Sequence, residues 1–446
     1  MKRFFSKYLL FFVLTGILSC LAIIAISRWK RSPMVSDRIS LGLLQEAYAV
    51  VTESYVEVPD AKKMVKGMID GMLSSLDPHS AYLPPEPYKE MEVQMTGAFG
   101  GVGIELGMKD DRLTVIAPIE DTPAFRAGIQ TNDHIWKIDG TPTRGMNISL
   151  AVKRMRGEKG TSVVLTILRG DGLHPLTFTL VRDIIKIKSL TSRTLEPGYG
   201  LIRIAQFQER TGREFRQALQ DLRVNSGGQL KGLVLDLRFN PGGLLGSAVD
   251  VANSFIGDDI NRTLIVSTKG RMHDSNREFH ASLGEKEAHY PIVVLINAGS
   301  ASAAEIVAGA LQDYKRAIIM GRQSFGKGSV QSVFPLPGNA ALKLTTARYY
   351  TPNGRSIQAK GIIPDIEVGV VKPLGSKGGA MGGLQEKDLE NRLAPDGKED
   401  GIKVLQKSPH TGRGEPDLAK DYQLSRALEL LRSLSLLREQ GFATSR

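Results

Sequence analysis

The stretch P-I-V-V-L-I-N-A-G-S-A-S-A-A-E, residues 291–305, contains the pattern that decides the fold. Its first half is a short run of apolar residues rich in β-branched side chains, which predicts a buried strand over Pro291–Asn297. Small residues fill the following turn, and an apolar pattern at helical spacing predicts a helix over Ser302–Tyr314. A buried strand, a tight turn and a helix therefore follow each other directly.

The same pattern occurs upstream, where a buried strand over Gly232–Arg238 ends at N-P-G-G and a helix is predicted over Leu245–Phe255. Further strands are predicted at Tyr199–Ile204 and Ala317–Met320, and a further helix at Thr211–Val224. Alternating strands and helices are typical of a layered α/β domain. We therefore predict such a domain over residues 186–371.

Residues 97–182 have a different, β-rich pattern. The motif A-G-I ends a short helix at Ile129, and D-H-I-W-K-I-D-G over 133–140 predicts a strand that ends in an Asp-Gly turn. Together these features resemble a PDZ domain, in which a glycine-rich loop presents N–H groups to a peptide's C-terminal carboxylate. Gly101, Val102, Gly103 and Ile104 occupy that loop position. The alternative is a small β-barrel whose glycines only make turns.

The two ends of the chain differ in composition from the middle. Tyr8–Ile26 has no charged residue and is long enough for a membrane-spanning helix, so 1–31 is predicted to be an anchor or an uncleaved signal. A cleaved signal peptide, or lipoprotein processing at Cys20, is the alternative. Residues 36–95 show helical spacing, 372–416 form a predicted flexible linker, and 417–446 contain a predicted amphipathic helix over Asp421–Gln440.

Overall composition excludes several classes of protein. The 446 residues are 41% hydrophobic and 24% charged, which is typical of globular domains and not of a disordered or multi-span membrane chain. The single cysteine, Cys20, excludes an intramolecular disulfide framework and a cysteine-based zinc site. Six basic residues and no acidic residue lie in 1–31, so the net charge of +11 gives little support to nucleic-acid binding.

The turn after residue 297 is a candidate site for a nucleophile. A serine in the first turn of a helix, such as Ser300 or Ser302, lies where unpaired N–H groups favour developing negative charge. For an isolated serine, a helix N-cap is the more common role. A nucleophilic serine also needs a base, and no G-N-S-G-G or G-x-S-x-G motif supports a histidine triad.

Lys327 is the candidate base, because burial can lower the pKa of a lysine toward neutrality. If Lys327–Val333 is a strand, Gln331 lies on the same face as Lys327 and can orient it without holding the proton on it. The alternative is a lysine in a solvated turn. The segment also approaches a phosphate-binding loop, but Gly328 replaces the required Ser or Thr and a strand follows instead of a helix.

Two backbone N–H groups are needed to stabilise an oxyanion. The N–H of Ser302 or Ala303 is one candidate, and the N-P-G-G turn at 240–243 is a candidate source of the second. The alternative for this turn is an ordinary left-handed turn before a helix.

Five ordered motifs make the chain resemble the carboxyl-terminal processing, or tail-specific, proteases over residues 36–371. They are S-L-D-P-H-S-A-Y-L at 75–83, G-G-V-G-I at 100–104, D-L-R-F-N-P-G-G at 236–243, S-A-S-A-A-E-I at 300–306 and F-G-K-G-S-V-Q at 325–331. The resemblance implies a serine endopeptidase whose PDZ domain binds the substrate's C-terminal tail. It implies Ser302 as nucleophile, Lys327 as general base and Gln331 as its orienter, with an oxyanion hole formed by the amides of Gly243 and Ala303.

The predicted fold class is therefore a mixed α/β and β multidomain chain. Its parts are a single N-terminal transmembrane helix, a helical segment, a PDZ domain, a layered α/β protease core and a C-terminal helix. No cofactor or metal is expected, and the body is expected outside the cytoplasm. Expected partners are protein substrates with accessible C-terminal tails and the membrane, with no nucleic acid; a homo-oligomer and an activating or adaptor protein stay open. The alternatives are a PDZ adaptor with an inactive core and a hydratase-like enzyme.

Overall fold

The computed structural model describes residues 34–170, 174–257, 263–284, 286–369, 385–394 and 421–440. The chain divides into two compact units, residues 1–71 and 72–446. The α-helices of the described residues are α1 (Met34–Ser54), α2 (Ala61–Ser74), α3 (Pro85–Thr96), α4 (Pro123–Arg126), α5 (Ile148–Met155), α6 (Thr211–Asn225), α7 (Leu245–Asn253), α8 (Ala303–Asp313) and α9 (Tyr422–Glu439).

The first unit contains α1 and most of α2, as the helical spacing predicts. Within the ranges that the structure describes, no helix combines the length and apolar character needed to cross a membrane. This contradicts the predicted single transmembrane helix, and the fold class is corrected to a mixed α/β multidomain chain. The apolar stretch 8–26, on which that prediction rested, lies outside the described residues.

A six-stranded sheet forms the centre of the second unit. Its order is β10 (Leu190–Glu196), β11 (Tyr199–Ile204), β12 (Gly232–Asp236), β15 (Ile292–Ile296), β16 (Ile318–Gly321) and β19 (Ile366–Glu367). All neighbours are parallel except β10 and β11. Every residue of β12 and β15 is buried, which explains their continuous apolar sequences.

Helices cover both faces of this sheet. Residues of α6, α7 and α8 share one hydrophobic core with one face, and Leu424, Ala427, Leu428 and Leu431 of α9 pack on the other. The predicted C-terminal helix therefore docks on the body. The carboxyl ends of β12 and β15 lie side by side, where open α/β sheets place their ligands.

A second sheet has five strands, which alternate along the chain with those of the first sheet. Its strands are β1 (Ala81–Leu83), β13 (Leu264–Gly270), β14 (Arg277–His280), β17 (Ser329–Leu336) and β18 (Ala340–Tyr350), and β18 pairs with β1, β13 and β17. Helix α3 begins at two prolines: Pro84 is its N-cap and Pro85 its first residue, a position where proline costs no hydrogen bond.

Residues 98–186 form the predicted β-rich domain. One sheet contains β3 (Ile104–Lys109), β4 (Arg112–Pro118), β5 (His134–Ile138), β6 (Thr141–Pro142), β7 (Ser162–Leu168) and β8 (Pro175–Val181), while β2 (Ala98–Gly101) pairs with β9 (Asp183–Lys186). Asp139 and Gly140 both have positive φ, as a tight hairpin turn requires, which confirms the predicted Asp-Gly turn. The domain has its own core around Val115, Ile135 and Leu165.

Most of the predicted linker 372–416 lies outside the described residues, but 385–394 do not. This segment contains a 3₁₀ turn at Glu386–Asp388, and the Glu386 side chain is completely buried. Part of the predicted linker is therefore a fixed piece of the second unit.

Candidate active site

The turn between β15 and α8 is built around Ser300. The Ser300 hydroxyl donates to the carbonyl of Leu237 at 2.8 Å and accepts from the N–H of Asn297 at 3.0 Å. Its carbonyl accepts from the N–H of Phe325 at 3.0 Å, and its side chain is fully buried. Of the two candidate serines, Ser300 therefore has a structural role in the turn.

Ser302 is the N-cap of α8 and is part-buried. Its φ of 55° and ψ of −116° lie far from the common regions for a residue with a Cβ. Such strain persists only where surrounding contacts hold it, and it occurs preferentially at functional sites. A strained strand-to-helix turn is also the device by which α/β hydrolases expose their nucleophile.

Glu305 holds the Ser302 turn and the Lys327 loop together. One oxygen of its buried carboxylate accepts the N–H of Ser302 at 2.8 Å and the N–H of Lys327 at 2.9 Å. The other oxygen accepts the Gly326 N–H at 2.8 Å and the Ser324 hydroxyl. Burial raises the pKa of Glu305 to about 7, although these four donors act in the opposite direction.

The Lys327 loop, Phe325–Gly328, is irregular but has no unpaired backbone group. Its N–H groups donate in order to Ser300 O, both Glu305 oxygens and Gln358 Oε1. Its carbonyls accept in order from the N–H groups of Glu386 and Ala359, the Tyr349 hydroxyl and the Tyr349 N–H. Complete pairing of a loop's backbone fixes its path.

The surroundings of Lys327 lower its pKa to about 8. Burial has the largest effect, and the positive charge of Lys343 acts in the same direction. The negative charges of Glu386, Glu305 and Asp77 act in the opposite direction without cancelling this effect. The fraction of neutral amine near neutral pH is therefore larger than for a solvated lysine.

Tyr349 lies between the two predicted catalytic residues. Its ring is 2% exposed, and its hydroxyl donates to the Lys327 carbonyl. Burial and the charge of Glu305 raise the pKa of Tyr349, while a hydrogen bond with the Ser302 side chain works against this rise. Tyr349 thus contacts both Ser302 and the Lys327 loop.

The strand alternation predicted from Lys327 to Gln331 is not present in the structure. Strand β17 begins at Ser329, after Lys327, and a bulge separates Val330 from Gln331. The Gln331 amide donates to Ser329 Oγ at 3.0 Å and to Thr345 Oγ1 at 3.3 Å. Its role in orienting Lys327 stays a prediction.

The N-P-G-G turn at 240–243 packs directly against Ser302. The buried Asn240 side chain donates to Ile204 O at 2.9 Å and accepts the Gly242 N–H at 2.8 Å. Gly242 has φ +100°, and a Cβ there would lie 2.7 Å from the Ser302 Cβ and 3.0 Å from the Ala303 nitrogen. Glycine is therefore required at this position.

Both predicted oxyanion-hole amides are available. Within the described ranges, no acceptor takes the N–H of Gly243 or the N–H of Ala303. Gly243 itself has φ +137°, and any Cβ would collide with the Phe207 carbonyl oxygen. The geometry therefore keeps two unpaired donors beside the Ser302 turn, as oxyanion stabilisation requires.

In the β-rich domain, the loop Gly101–Ile104 is the predicted binding site for a peptide carboxylate, and its central carbonyl groups are already hydrogen-bonded. Val102 O accepts from the N–H of Ala124 at 2.9 Å, and Gly103 O accepts from the N–H of Ile119 at 2.9 Å. The N–H groups of Val102 and Gly103 have no acceptor among the residues the structure describes. Gly103 has φ +78°, and a Cβ there would collide with the Thr122 side chain.

Comparison with known proteins identifies the family. A model of peptidase family S41 matches residues 198–368, a PDZ domain model matches 100–180, and a model of the N-terminal domain of the activating protease CtpB matches 28–86. The carboxy-terminal-processing protease of Bartonella bacilliformis is 44% identical over 383 residues, which cover 86% of each chain. The chain belongs to the carboxy-terminal processing proteases.

Two further proteins are similar over most of this chain. Carboxy-terminal processing protease CtpB of Bacillus subtilis is 36% identical over 73% of this chain and 67% of its own length. The solved structure of a photosystem II D1 C-terminal processing protease is 30% identical, with a TM-score of 0.43, and the match covers 73% of this chain and 86% of that one. The protein is accordingly a C-terminal processing serine protease with a PDZ domain.

The sequence analysis did not identify two residues that contact the predicted site residues. Glu305 and Tyr349 were not predicted to contribute. The S-x-x-E spacing from Ser302 to Glu305 is a capping-box pattern and could have pointed to the first. Nothing local to Tyr349 distinguishes it from other strand aromatics.

Proposed function

We propose that the protease hydrolyses peptide bonds at or near the C-terminal region of proteins, with Ser302 as nucleophile and Lys327 as general base. The observation that carries this proposal is the shared Glu305 carboxylate oxygen, which binds the backbone N–H groups of both residues. The backbone nitrogens of Ser302 and Lys327 therefore lie 2.8 and 2.9 Å from the same oxygen atom. Burial of Lys327 supports its role as a base, because it lowers the pKa to about 8.

The proposed reaction proceeds through an acyl-enzyme. Neutral Lys327 takes the proton from Ser302 Oγ, and that oxygen attacks the carbonyl carbon of the scissile bond. The N–H groups of Gly243 and Ala303 stabilise the resulting oxyanion. The lysine ammonium then gives its proton to the leaving amine, and water releases the acyl group with Lys327 again acting as base. Gln331, a neutral partner, orients the amine.

The PDZ domain is proposed to bind the substrate's C-terminal carboxylate at the loop Gly101–Ile104. The unpaired N–H groups of Val102 and Gly103 support this assignment, since a PDZ domain binds a peptide's terminal carboxylate through such groups. Protein substrates with accessible C-termini are the expected partners. A location outside the cytoplasm, a homo-oligomer and an activating or adaptor protein stay predictions.

The test of the catalytic assignment uses the full chain and an unstructured protein substrate with an apolar C-terminus. Ser302→Ala should abolish cleavage and labelling by a fluorophosphonate probe. Lys327→Met should do the same, because it retains the stem but removes the base. The matched control is Lys360→Met, at an exposed lysine. Cleavage that survives Lys327→Met would refute the proposed base, and a wild-type chain that neither cleaves nor labels would indicate the adaptor alternative.

A further inference from the structure

The motif S-L-D-P-H-S-A-Y-L has no part in the catalytic chemistry described so far, yet it lies against the site. The buried Asp77 carboxylate accepts the N–H groups of His79 and Ser80 at 2.8 and 2.9 Å and the Ser80 hydroxyl at 2.8 Å. It also accepts the hydroxyl of Thr345 on β18 at 3.1 Å. Asp77 thus fixes this motif to the strand that runs beside the Lys327 loop.

The motif also directs the His79 ring at a second buried carboxylate. His79 Nε2 lies 2.9 and 2.8 Å from the two oxygens of Glu386. The Glu386 side chain is completely buried, and that of His79 is 15% exposed. A buried carboxylate is stable only when it is paired and hydrogen-bonded, so His79 is a required partner of Glu386.

Glu386 in turn is fastened to both ends of the Lys327 loop. Its own N–H donates to the carbonyl of Phe325 at 3.0 Å, where the loop begins. Its carboxylate accepts from Gln358 Nε2 at 2.9 Å, and Gln358 Oε1 accepts the N–H of Gly328 at 2.9 Å, where the loop ends. The segment 385–394 therefore clamps the loop through one residue.

The other branch of the network leads to Gln331. The Gln331 amide donates to Thr345 Oγ1, which donates to Asp77. The two branches meet in the motif, since His79 and Asp77 are two residues apart and linked by a hydrogen bond. A continuous chain of contacts thus runs from Gly328 through Gln358, Glu386, His79, Asp77 and Thr345 to Gln331, on both sides of the lysine.

We propose that Glu386 and His79 are positioning residues for the catalytic lysine: their pair holds the Phe325–Gly328 loop in the geometry that Lys327 needs to accept the serine proton. This inference rests on the proposed function. Neither residue is assigned contact with the substrate. A misplacement of about 1 Å at a catalytic group costs about a hundredfold in rate, so a clamp remote from the substrate controls kcat.

The electrostatic surroundings give the clamp a second, measurable effect. The charged groups that act on Lys327 are Lys343, which lowers its pKa, and Glu386, Glu305 and Asp77, which raise it. Removing the Glu386 charge removes one of the raising effects. The acidic limb of the pH–activity profile, where activity rises as the lysine loses its proton, should then move to lower pH.

The test compares Glu386→Gln with Glu386→Asp in the full chain. The measurements are pH profiles of kcat and kcat/KM for peptide cleavage and the rate at which a fluorophosphonate labels Ser302. For Glu386→Gln we expect a kcat at least tenfold lower, an almost unchanged KM and an acidic limb at lower pH. For Glu386→Asp we expect a lower kcat with the acidic limb in place, because the charge stays while the reach shortens. His79→Gln should lower kcat similarly, and the exposed Glu390→Gln, in the same segment, should match wild type.

Thermal melts and binding of a C-terminal peptide to the PDZ domain identify variants that fail to fold. The His79 variant then provides the second measurement, because His79 is not itself part of segment 385–394. Wild-type kcat and acidic limb in folded Glu386→Gln would overturn this inference while leaving the proposed function intact. Activity that survives Lys327→Met would instead remove the proposed function, and the clamp's role with it.

Discussion

The substitution Glu305→Gln is the sharpest test of how the site is held together. Each oxygen of the Glu305 carboxylate accepts two hydrogen bonds, and all four donors lie in the Ser302 turn or the 324–327 segment. Glutamine has the same shape, but its NH₂ group must replace one oxygen and face two donors. The Ser324 hydroxyl can turn to accept a hydrogen bond, whereas a backbone N–H cannot.

The cost follows from these contacts. In its better orientation the glutamine amide leaves one backbone N–H, that of Gly326, without its acceptor. Losing a hydrogen bond to a charged group costs about 1.5–3 kcal/mol, and the buried donor left behind costs about 1–3 kcal/mol more. We therefore expect a loss of about 2.5–6 kcal/mol in the free energy of unfolding of the core. In a domain of this size that corresponds to a fall of about 5–24 °C in Tm.

Activity should fall with stability, because the same carboxylate sets the distance between the Ser302 and Lys327 backbones. We expect kcat to fall by about a hundredfold at a temperature where the variant is fully folded. The assays are calorimetry and peptide cleavage, and the matched control is Glu86→Gln, an exposed glutamate in the first turn of α3. A Glu305→Gln protein that keeps both wild-type Tm and wild-type kcat would refute the argument that this carboxylate holds the site together.

Three further predictions follow from the same geometry. Because the pKa of Lys327 is about 8, about a tenth of the amine is neutral at pH 7 and about half at pH 8. We therefore expect kcat/KM to rise about fivefold between pH 7 and pH 8. A kcat/KM that is constant from pH 6 to 9 would exclude Lys327 as the base. Gly242→Ala should lower kcat at least tenfold, as its Cβ would displace the nucleophile's turn, whereas Gly246→Ala in α7, where the Cβ meets open space, should be active in the same cleavage assay. Asp421→Asn should destabilise the core by about 3 kcal/mol, measured by chemical denaturation, because it weakens the two hydrogen bonds that Asp421, the N-cap of α9, accepts from the buried Arg238. An unchanged midpoint would contradict this.

Most of the secondary structure was predictable because it is encoded locally. The strand over Ile292–Ile296 and the helix that begins at Ala303 differ by one residue from the predicted ends. Buried parallel strands leave continuous apolar runs, and the small residues between them leave a recognisable turn. The bulge before Gln331 is an exception, because no local sequence pattern predicts it.

The residues that hold the site could not be predicted in the same way. Glu305 accepts from donors 19–22 residues away, and His79 meets Glu386 across 307 residues. Local propensity and periodicity contain no information about such pairs. The composition around Glu386 also pointed away from a buried role, since the glycines and lysines of residues 372–416 predicted a flexible linker.

Two buried glutamates, Glu305 and Glu386, fix the irregular loop that contains Lys327, the proposed general base. The Glu305 carboxylate accepts two N–H groups of the loop, whereas Glu386 binds the loop through its own N–H and, by way of its carboxylate, through Gln358. The loop backbone is therefore held in one path by hydrogen bonds, and the Lys327 side chain is the part of the loop that changes protonation with pH. Both carboxylates also raise the proton affinity of the lysine, against burial and Lys343. A pKa of about 8 is the net result of the charges that position the loop and the burial that makes the amine a base.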